Sequence, residues 1–419
     1  MACVGRRTGV ITNFTTRAGA SGKLRSGALA GQMDGFAAWL WERGYSRRAG
    51  HQHLRTVAEF SQWLERNGYG VGDIDELHAK RFLRFRRRRR RHHCDWAALR
   101  LLLKHLREVG ILSPPSPTVV HDEQFALEQT FATYLLQEKG VSQATKKHYA
   151  REIHAFLRHQ FRQGPVVLST LCGQDLHRFV LSRAQHRGPP AVKLTVTALR
   201  TFCRFLRFRG DIANDLASSV FSVPNWRLTT LPKSISQEQI EQLLVNCNQH
   251  TPIGRRDYAI VLLLARLGLR AGEVAALTLD DVNWEVGELS VLGKGSRRER
   301  IPLPHDVGTA LAAYLRRDRP RCLTRRVFIR AKAPLVGFAS SAAVSIIVAK
   351  AIARSGLNPP SRGAHLLRYS LATNVLQRGG SLAEIADLLR HRHPDTTVLY
   401  AKVDFEALRS VVQPWPGMR

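Results

Sequence analysis

The sequence predicts a multidomain protein in which all-helical modules precede a C-terminal domain of mixed α and β structure. Three observations support this fold class. The chain has 419 residues, which is longer than one compact domain usually is. Helix-like apolar spacing runs from about residue 33 to about residue 220, and helix-like and strand-like stretches alternate after that. Proline-rich breaks separate these parts.

The boundaries of the segments follow from composition and from proline. Residues 1–30 are rich in Gly, Ser, Thr and Arg without clear periodicity, which is typical of a flexible basic arm. Pro114, Pro115 and Pro117 mark a linker. The predicted segments are an arm (1–30), a helical module (31–112), a proline-rich linker (113–123), a second helical module (124–223), a second linker (224–235), a mixed domain (236–405) and a C-terminal tail (406–419).

The two helical modules share a loose internal repeat. The triplet Gly-Tyr-Ser at residues 44–46 recurs as Gly-Val-Ser at residues 140–142, and Ala-Leu-Arg at residues 98–100 recurs at residues 198–200. The matches keep their order and nearly the same offset, so we interpret the modules as products of a duplication.

Capping signals and turns define elements of the mixed domain. Ser236 with Gln239, and Ser381 with Glu384, predict capping boxes that begin helices. The glycine-flanked Lys294 predicts a hairpin turn. The other predicted elements are an apolar helix closed by Gly268 (257–268), strands (282–291 and 300–303), a helix (342–354) and a helix ending near Leu389.

The charge predicts a polyanionic partner. The sequence has 64 Lys and Arg against 33 Asp and Glu, a formal net charge of +31. Nucleic acid is the usual partner of such a chain, because cationic side chains release the counterions of the phosphates. Charge alone does not distinguish DNA from RNA, or an enzyme from a packaging protein.

An arginine run lies at residues 86–91. Neighbouring apolar residues such as Phe82 and Phe85 favour a folded helix with a side that faces phosphates, although a solvated face is the alternative. The arginines from which we predict DNA backbone contacts are Arg86, Arg87, Arg88 and Arg89.

The remaining composition predicts a cytoplasmic location. No run of 18 or more apolar residues predicts a membrane span, so no membrane partner is expected. The six cysteines are scattered without a C-x-x-C pair, which favours reduced thiols over disulfides or a zinc site.

The C-terminal part holds groups that could cleave a phosphodiester without a metal ion. Such cleavage needs cations for the phosphate oxygens, an in-line nucleophile and a general acid for the departing sugar oxygen. His365 and Arg368 are three residues apart and share a helix face. The candidate residues are Arg270, Lys294, His365, Arg368, His391 and Tyr400.

The order and spacing of these residues resemble the tyrosine recombinase, or phage integrase, family. Residues 267–277 resemble its first arginine box, and residues 293–303 are similar to its lysine hairpin. His-Leu-Leu-Arg at 365–368 matches its H-x-x-R motif, and residues 388–391 with Tyr400 match its last histidine and nucleophile. The resemblance covers residues 231–405 closely, and residues 124–220 resemble the core-binding domain more weakly.

The resemblance implies a role for each candidate. Arg270 and Arg368 would bind the scissile phosphate, Lys294 would protonate the leaving 5′ oxygen, and His365 would help to take the tyrosine proton.

His391 would contact the phosphate or orient the site, and Tyr400 would form a 3′-phosphotyrosine. Glu273 would support an arginine. Arg297 and Arg298 are the alternative cations to Lys294, and we predict that both contact DNA. Neither ATP, a metal ion nor another cofactor would be required.

The resemblance also implies an architecture and partners. SAM-like helical modules would precede the catalytic domain at residues 236–405. Residues 124–223 would be the core-binding, DNA-binding domain, and residues 31–112 an extra DNA-binding or accessory module. The protein would bind double-stranded DNA and would assemble as a homotetramer on two DNA sites. Related recombinases could take part in this assembly, and the protein would be associated with the nucleoid. The extra module and the arginine content favour a mobile element.

Three positions depart from the family pattern. Arg390 replaces the glycine that commonly precedes the last histidine, Tyr369 replaces a common histidine, and Leu366 replaces a common acidic residue. Three alternatives stay open at this point: a relaxing enzyme similar to type IB topoisomerases, an accessory DNA-binding protein that does not cut, and a general nucleic-acid coating protein.

Overall fold

The computed structural model describes residues 10–15, 22, 24–87, 95–113, 123–162, 164–224, 232–293, 298–391 and 396–402. The chain divides into two units by its internal contacts. One unit combines Met1–Pro114 with Thr230–Arg419, and the other is Pro115–Thr229. Among the described residues, no helix is long and apolar enough to cross a membrane.

The N-terminal part of the first unit is helical because its apolar residues recur at helical spacing. The helices are α1 (Met33–Glu42), α2 (Arg47–Arg66), α3 (Glu76–Arg87) and α4 (Asp95–Glu108). Ser46 begins α2, and its side chain accepts a hydrogen bond from the backbone N–H of Ala49. Phe36, Phe60 and Phe82 are buried in the common core of these helices.

A segment of the C-terminal part packs against these helices. The backbone N–H of Leu335 donates to the carbonyl of Arg43 at 2.9 Å, and Ala333 contacts the helical core. Gly44 lies beneath Leu335 with a φ of +76°, and a Cβ at this position would lie 2.2 Å from Leu335 Cδ1. Only a glycine combines this backbone conformation with this close approach.

The second unit is built from helices around an aromatic core. Its helices are α5 (Glu123–Gln137), α6 (Gln143–Gln160), α7 (Gly173–Ala184), α8 (Pro189–Arg209) and α9 (Leu216–Ser219). Phe131, Phe156 and Phe202 are fully buried in its core. The buried carboxylate of Glu152 accepts hydrogen bonds from Arg187 at 2.8 Å and Thr195 at 3.2 Å, which satisfies its charge inside the unit.

The C-terminal part of the first unit mixes helices with a small sheet. The helices are α10 (Gln237–Val245), α11 (Pro252–Leu267), α12 (Ala271–Ala276), α13 (His305–Arg317), α14 (Ser341–Arg354), α15 (His365–Gln377), α16 (Leu382–Leu389) and α17 (Val398–Ala401). The capping boxes predicted at Ser236 and Ser381 are confirmed. Helix α11 ends at Gly268, which adopts the left-handed conformation as predicted.

The sheet consists of β1 (Val282–Asn283), β2 (Glu288–Leu292) and β3 (Arg298–Pro302), antiparallel in the order β1-β2-β3. The single strand predicted over residues 282–291 is wrong, because a turn interrupts it. The Asn283 side chain accepts hydrogen bonds from the N–H groups of Glu285 and Val286 and so bends the chain between β1 and β2.

We expect the contact between Gly44 and Leu335 to stabilise the first unit. Gly44→Ala would lower the free energy of unfolding by about 1–3 kcal/mol more than Gly68→Ala, because the new methyl group collides with Leu335. Gly68 is the matched control, since its φ is +72° and nothing lies within 4 Å of a Cβ added there. Urea denaturation of both variants measures the difference. Equal losses would show that Leu335 does not pack against Gly44.

Candidate active site

Arg368 lies where two helices end. Its side chain is only 4% exposed, and its guanidinium donates hydrogen bonds to the carbonyls of Gly268 and Leu389. The Gly268 carbonyl directly follows α11, and the Leu389 carbonyl belongs to the last residue of α16. At such C-terminal ends the backbone acceptors lack partners within the helix and the helix dipole is negative. Burial lowers the pKa of Arg368 to about 10, with a further contribution from Arg270. Arg368 therefore keeps its charge at neutral pH.

Arg270 is held by an acidic residue on the next turn. Its backbone N–H donates to Glu273 Oε2 at 2.9 Å, and its Nη1 donates to Glu273 Oε1 at 2.7 Å. Glu273 is buried, whereas the Arg270 side chain is 34% exposed. The carboxylate thus fixes one side of the guanidinium and leaves part of the cation open to an anion.

The two candidate histidines are near these cations. His365 begins α15, and its ring stacks on Tyr369 with centroids 6.1 Å apart. Burial, followed by Arg368 and Arg270, lowers the pKa of His365. The same causes in the same order lower the pKa of His391 to about 4. Both rings are therefore held in the neutral form at neutral pH.

A threonine contacts His391. The Nδ1 atom of His391 lies 2.8 Å from the hydroxyl oxygen of Thr397, and the backbone N–H of His391 donates to the carbonyl of Ala386 at 2.8 Å. The first contact orients the ring and the second fixes the chain where α16 ends. The sequence pointed to Thr397 only through the Thr396-Thr397 pair before the tyrosine.

Tyr400 is buried on α17 with 1% of its surface exposed. Its ring packs with Ala372, Ile385 and Leu389, and it lies parallel to the His391 ring with centroids 6.3 Å apart. Burial raises the pKa of Tyr400, and the charge of Arg368 opposes that shift. The phenol is thus protonated in this arrangement, and attack by its oxygen needs a proton acceptor.

The structure gathers five of the six candidates around the ends of α11 and α16, namely Arg270, His365, Arg368, His391 and Tyr400. Lys294 and Arg297 lie outside the described residues. Arg298 begins β3, where its side chain is 69% exposed and lies 3.4 Å from the carboxylate of Asp281. The catalytic roles of all these residues stay predictions.

The structure places Arg86 differently from the phosphate-facing surface that the sequence predicts. Its guanidinium is buried and pairs with Asp95 at 2.5 Å and Glu59 at 2.9 Å. Two carboxylates from α2 and α4 thus occupy this cation, and a run of identical arginines gives no signal for which member turns inward. Arg87 is the last residue of α3, and Arg88 and Arg89 lie outside the described residues.

Arg390 is a site residue whose contacts the sequence did not predict. Its guanidinium is buried and donates to Glu273 Oε2 at 3.0 Å. The signal available in the sequence was the departure from glycine before the last histidine.

Comparisons with known proteins identify the family of this chain. The sequence profile of the phage integrase family matches residues 233–407, which hold all six candidates. A Sinorhizobium fredii protein described as an integrase/recombinase is 41% identical over 91% of this chain and 93% of its own length. Tyrosine recombinase XerD of Listeria innocua is 30% identical over 67% of this chain and 95% of its own length.

Solved structures share the fold. The XerH site-specific recombinase, bound to its palindromic difH substrate after cleavage, covers 69% of this chain and 83% of its own, with a TM-score of 0.52 and 18% identity. A lambda integrase dimer bound to a core site covers 70% of this chain and 98% of its own, with a TM-score of 0.52 and 15% identity.

The fold and these relatives together define a tyrosine recombinase. The chain belongs to the phage integrase family, and it is a site-specific recombinase.

We expect Arg368→Lys to lower the free energy of unfolding by about 1–3 kcal/mol. A lysine has one ammonium and no planar fork, so one of the two helix-end carbonyls would stay buried without a donor. Arg378→Lys, at the exposed end of the same helix, is the control and should change stability little. Urea denaturation compares the two variants. A loss no greater than that of the control would contradict the anchoring role.

Proposed function

We propose that this recombinase cleaves DNA by in-line attack of the Tyr400 hydroxyl on a phosphodiester. A bond forms between the tyrosine oxygen and phosphorus, the bond from phosphorus to the 5′ oxygen breaks, and a 3′-phosphotyrosine remains. The reverse attack by a 5′ hydroxyl rejoins the strand and needs neither ATP nor a metal ion. The observation that carries the proposal is the convergence of two arginines, two neutral histidines and the tyrosine at two helix ends.

The two arginines would stabilise the charge of the transition state. Arg270 is held by Glu273 with part of its guanidinium exposed, and Arg368 is anchored with its charge intact. Cations fixed before the reaction stabilise developing charge on the phosphate oxygens without having to reorganise. Lys294, which follows β2 in the sequence, would donate the proton to the leaving 5′ oxygen.

The histidines would act as neutral groups. His365 has a lowered pKa and a free base form at neutral pH, so it can accept the Tyr400 proton. His391 Nδ1 would accept a hydrogen bond from the Thr397 hydroxyl, which leaves the proton on Nε2. That N–H would donate to a phosphate oxygen. The buried Tyr400 hydroxyl would have to reach the phosphate when DNA binds.

DNA is the partner that the chemistry and the charge favour. The net charge of +31 suits a duplex, and the XerH and lambda integrase structures of similar fold are bound to DNA. We propose a homotetramer on two DNA sites, with residues 124–223 as the core-binding domain and residues 31–112 as an additional module. We further propose that the two modules arose by duplication. Ser46 and Ser142 support this, since each caps its helix in the same way.

Trapping the covalent intermediate tests the proposal. Nicked duplexes from the flanks of the encoding locus would lose the short strand after cleavage and accumulate a protein–DNA adduct on a denaturing gel. We expect the adduct with wild type and none with Tyr400→Phe. The control variant Tyr369→Phe should still form the adduct, although the ring centroids of Tyr369 and Tyr400 are only 6.1 Å apart. The adduct should form equally in excess chelator.

Either of two results would contradict the proposal. An adduct with Tyr400→Phe would mean that another residue is the nucleophile. DNA binding by wild type without an adduct on any flanking sequence would favour an accessory protein that does not cut.

We expect Thr397→Val to slow cleavage by about 5–10-fold, because losing a hydrogen bond of about 1 kcal/mol leaves the His391 ring and tautomer unfixed. Thr396→Val is the matched control, since Thr396 is the exposed neighbour. Single-turnover cleavage of the nicked duplex measures both rates. Equal rates for the two variants would show that Thr397 does not orient His391.

A further inference from the structure

Arg390 occupies a backbone conformation that suits glycine. It ends α16 with φ 55° and ψ 53°, and among the described non-glycine residues only Arg162 also has a positive φ. The left-handed region costs free energy for a residue with a Cβ, and helices that end this way usually use glycine. The backbone geometry at this position therefore gives no reason for an arginine.

The Arg390 side chain brings an additional cost. It is 8% exposed, and its Nη1 is buried without a hydrogen-bond partner in the described structure. Burying an unpaired polar group lowers stability. An arginine that strains the backbone and leaves a buried donor unpaired points to a use of its guanidinium.

That guanidinium joins three segments, each close in sequence to a candidate catalytic residue. Its Nη2 donates at 3.0 Å to Oε2 of Glu273 on α12, the helix that Arg270 directly precedes. Its Nε lies 3.7 Å from Glu299 Oε2 on β3, the strand that follows Lys294 in the sequence. Its own backbone directly precedes His391 and follows Leu389, whose carbonyl accepts from Arg368.

Glu273 is the centre of this arrangement. Its Oε1 accepts from Arg270 Nη1, and its Oε2 accepts from both the Arg270 N–H and Arg390 Nη2. The two cations hold the buried carboxylate from both sides. Among the described residues, only Arg270 would still donate hydrogen bonds to the Glu273 carboxylate without Arg390, and the pair would be free to turn together.

We propose that Arg390 is a positioning residue for DNA cleavage, which holds Glu273 so that Arg270 presents its guanidinium to the phosphate. The inference rests on the proposed function, because Arg270 must bind the phosphate for its position to matter. Arg390 would act through Glu273 and would not touch the DNA.

The variant Arg390→Gly separates positioning from folding. Glycine suits the backbone conformation, so we expect a melting temperature equal to or above that of wild type. Single-turnover cleavage of the nicked duplex at saturating DNA should slow by about tenfold or more, since transition-state stabilisation is lost. The DNA concentration that gives half the maximal rate should stay within twofold. The melting temperature of Arg162→Gly is the matched control for the backbone effect, because this variant makes the same backbone change at an exposed residue.

A double-mutant cycle tests the route through Glu273. If Arg390 acts through that carboxylate, Glu273→Gln combined with Arg390→Gly should slow cleavage by much less than the product of the two single effects. The inference would be overturned if the effects of the two single substitutions multiply in the double mutant, or if Arg390→Gly leaves the cleavage rate unchanged. It would also be overturned if the rate of Arg390→Gly falls together with its melting temperature, or if only the DNA concentration for half the maximal rate changes.

Wild type and Tyr400→Phe run in the same assay. No adduct from wild type would refute the proposed function itself. Adduct formation by wild type at a rate that Arg390→Gly matches would refute only the role of Arg390.

Discussion

Two helix ends meet at the guanidinium of Arg368. A residue in the left-handed conformation caps the end of each helix, Gly268 for α11 and Arg390 for α16. The Arg368 guanidinium donates hydrogen bonds to the carbonyls of Gly268 and Leu389. Arg270 lies two residues after Gly268, and His391 directly follows Arg390. One buried cation thus neutralises two helix dipoles and sets the distance between the chain segments that carry the site.

The same anchoring determines the electrostatic state of the site. Among the described residues, Arg270, Arg368 and Arg390 concentrate positive charge in a partly buried space, and the carboxylates of Glu273 and Glu299 compensate only part of it. The histidines respond by staying neutral, since burial and the nearby cations lower the pKa of both His365 and His391. A site with surplus cations and neutral bases is suited to bind a phosphodiester, because the negative charge of the phosphate compensates the excess positive charge.

Local signals in the sequence predicted the features that depend on neighbours along the chain. The capping boxes at Ser236 and Ser381 and the helix end at Gly268 rest on contacts within a few residues, and the structure confirms them. The contacts of Arg86 and Arg390 reach other helices or strands, so spacing gave no signal for either one. The Glu273–Arg390 pair spans 117 residues. The motif resemblance identified which side chains belong to the site, whereas their burial and partners required the folded chain.

The central claim is that Tyr400 carries the covalent bond to DNA, and mass spectrometry of the trapped adduct tests it most directly. The adduct formed on a nicked duplex would be treated with nuclease, digested with protease and fragmented to locate the remaining nucleotide. The account predicts a nucleotide 3′ phosphate on the Tyr400 oxygen. A nucleotide attached to Tyr369, or to any other side chain, would contradict it.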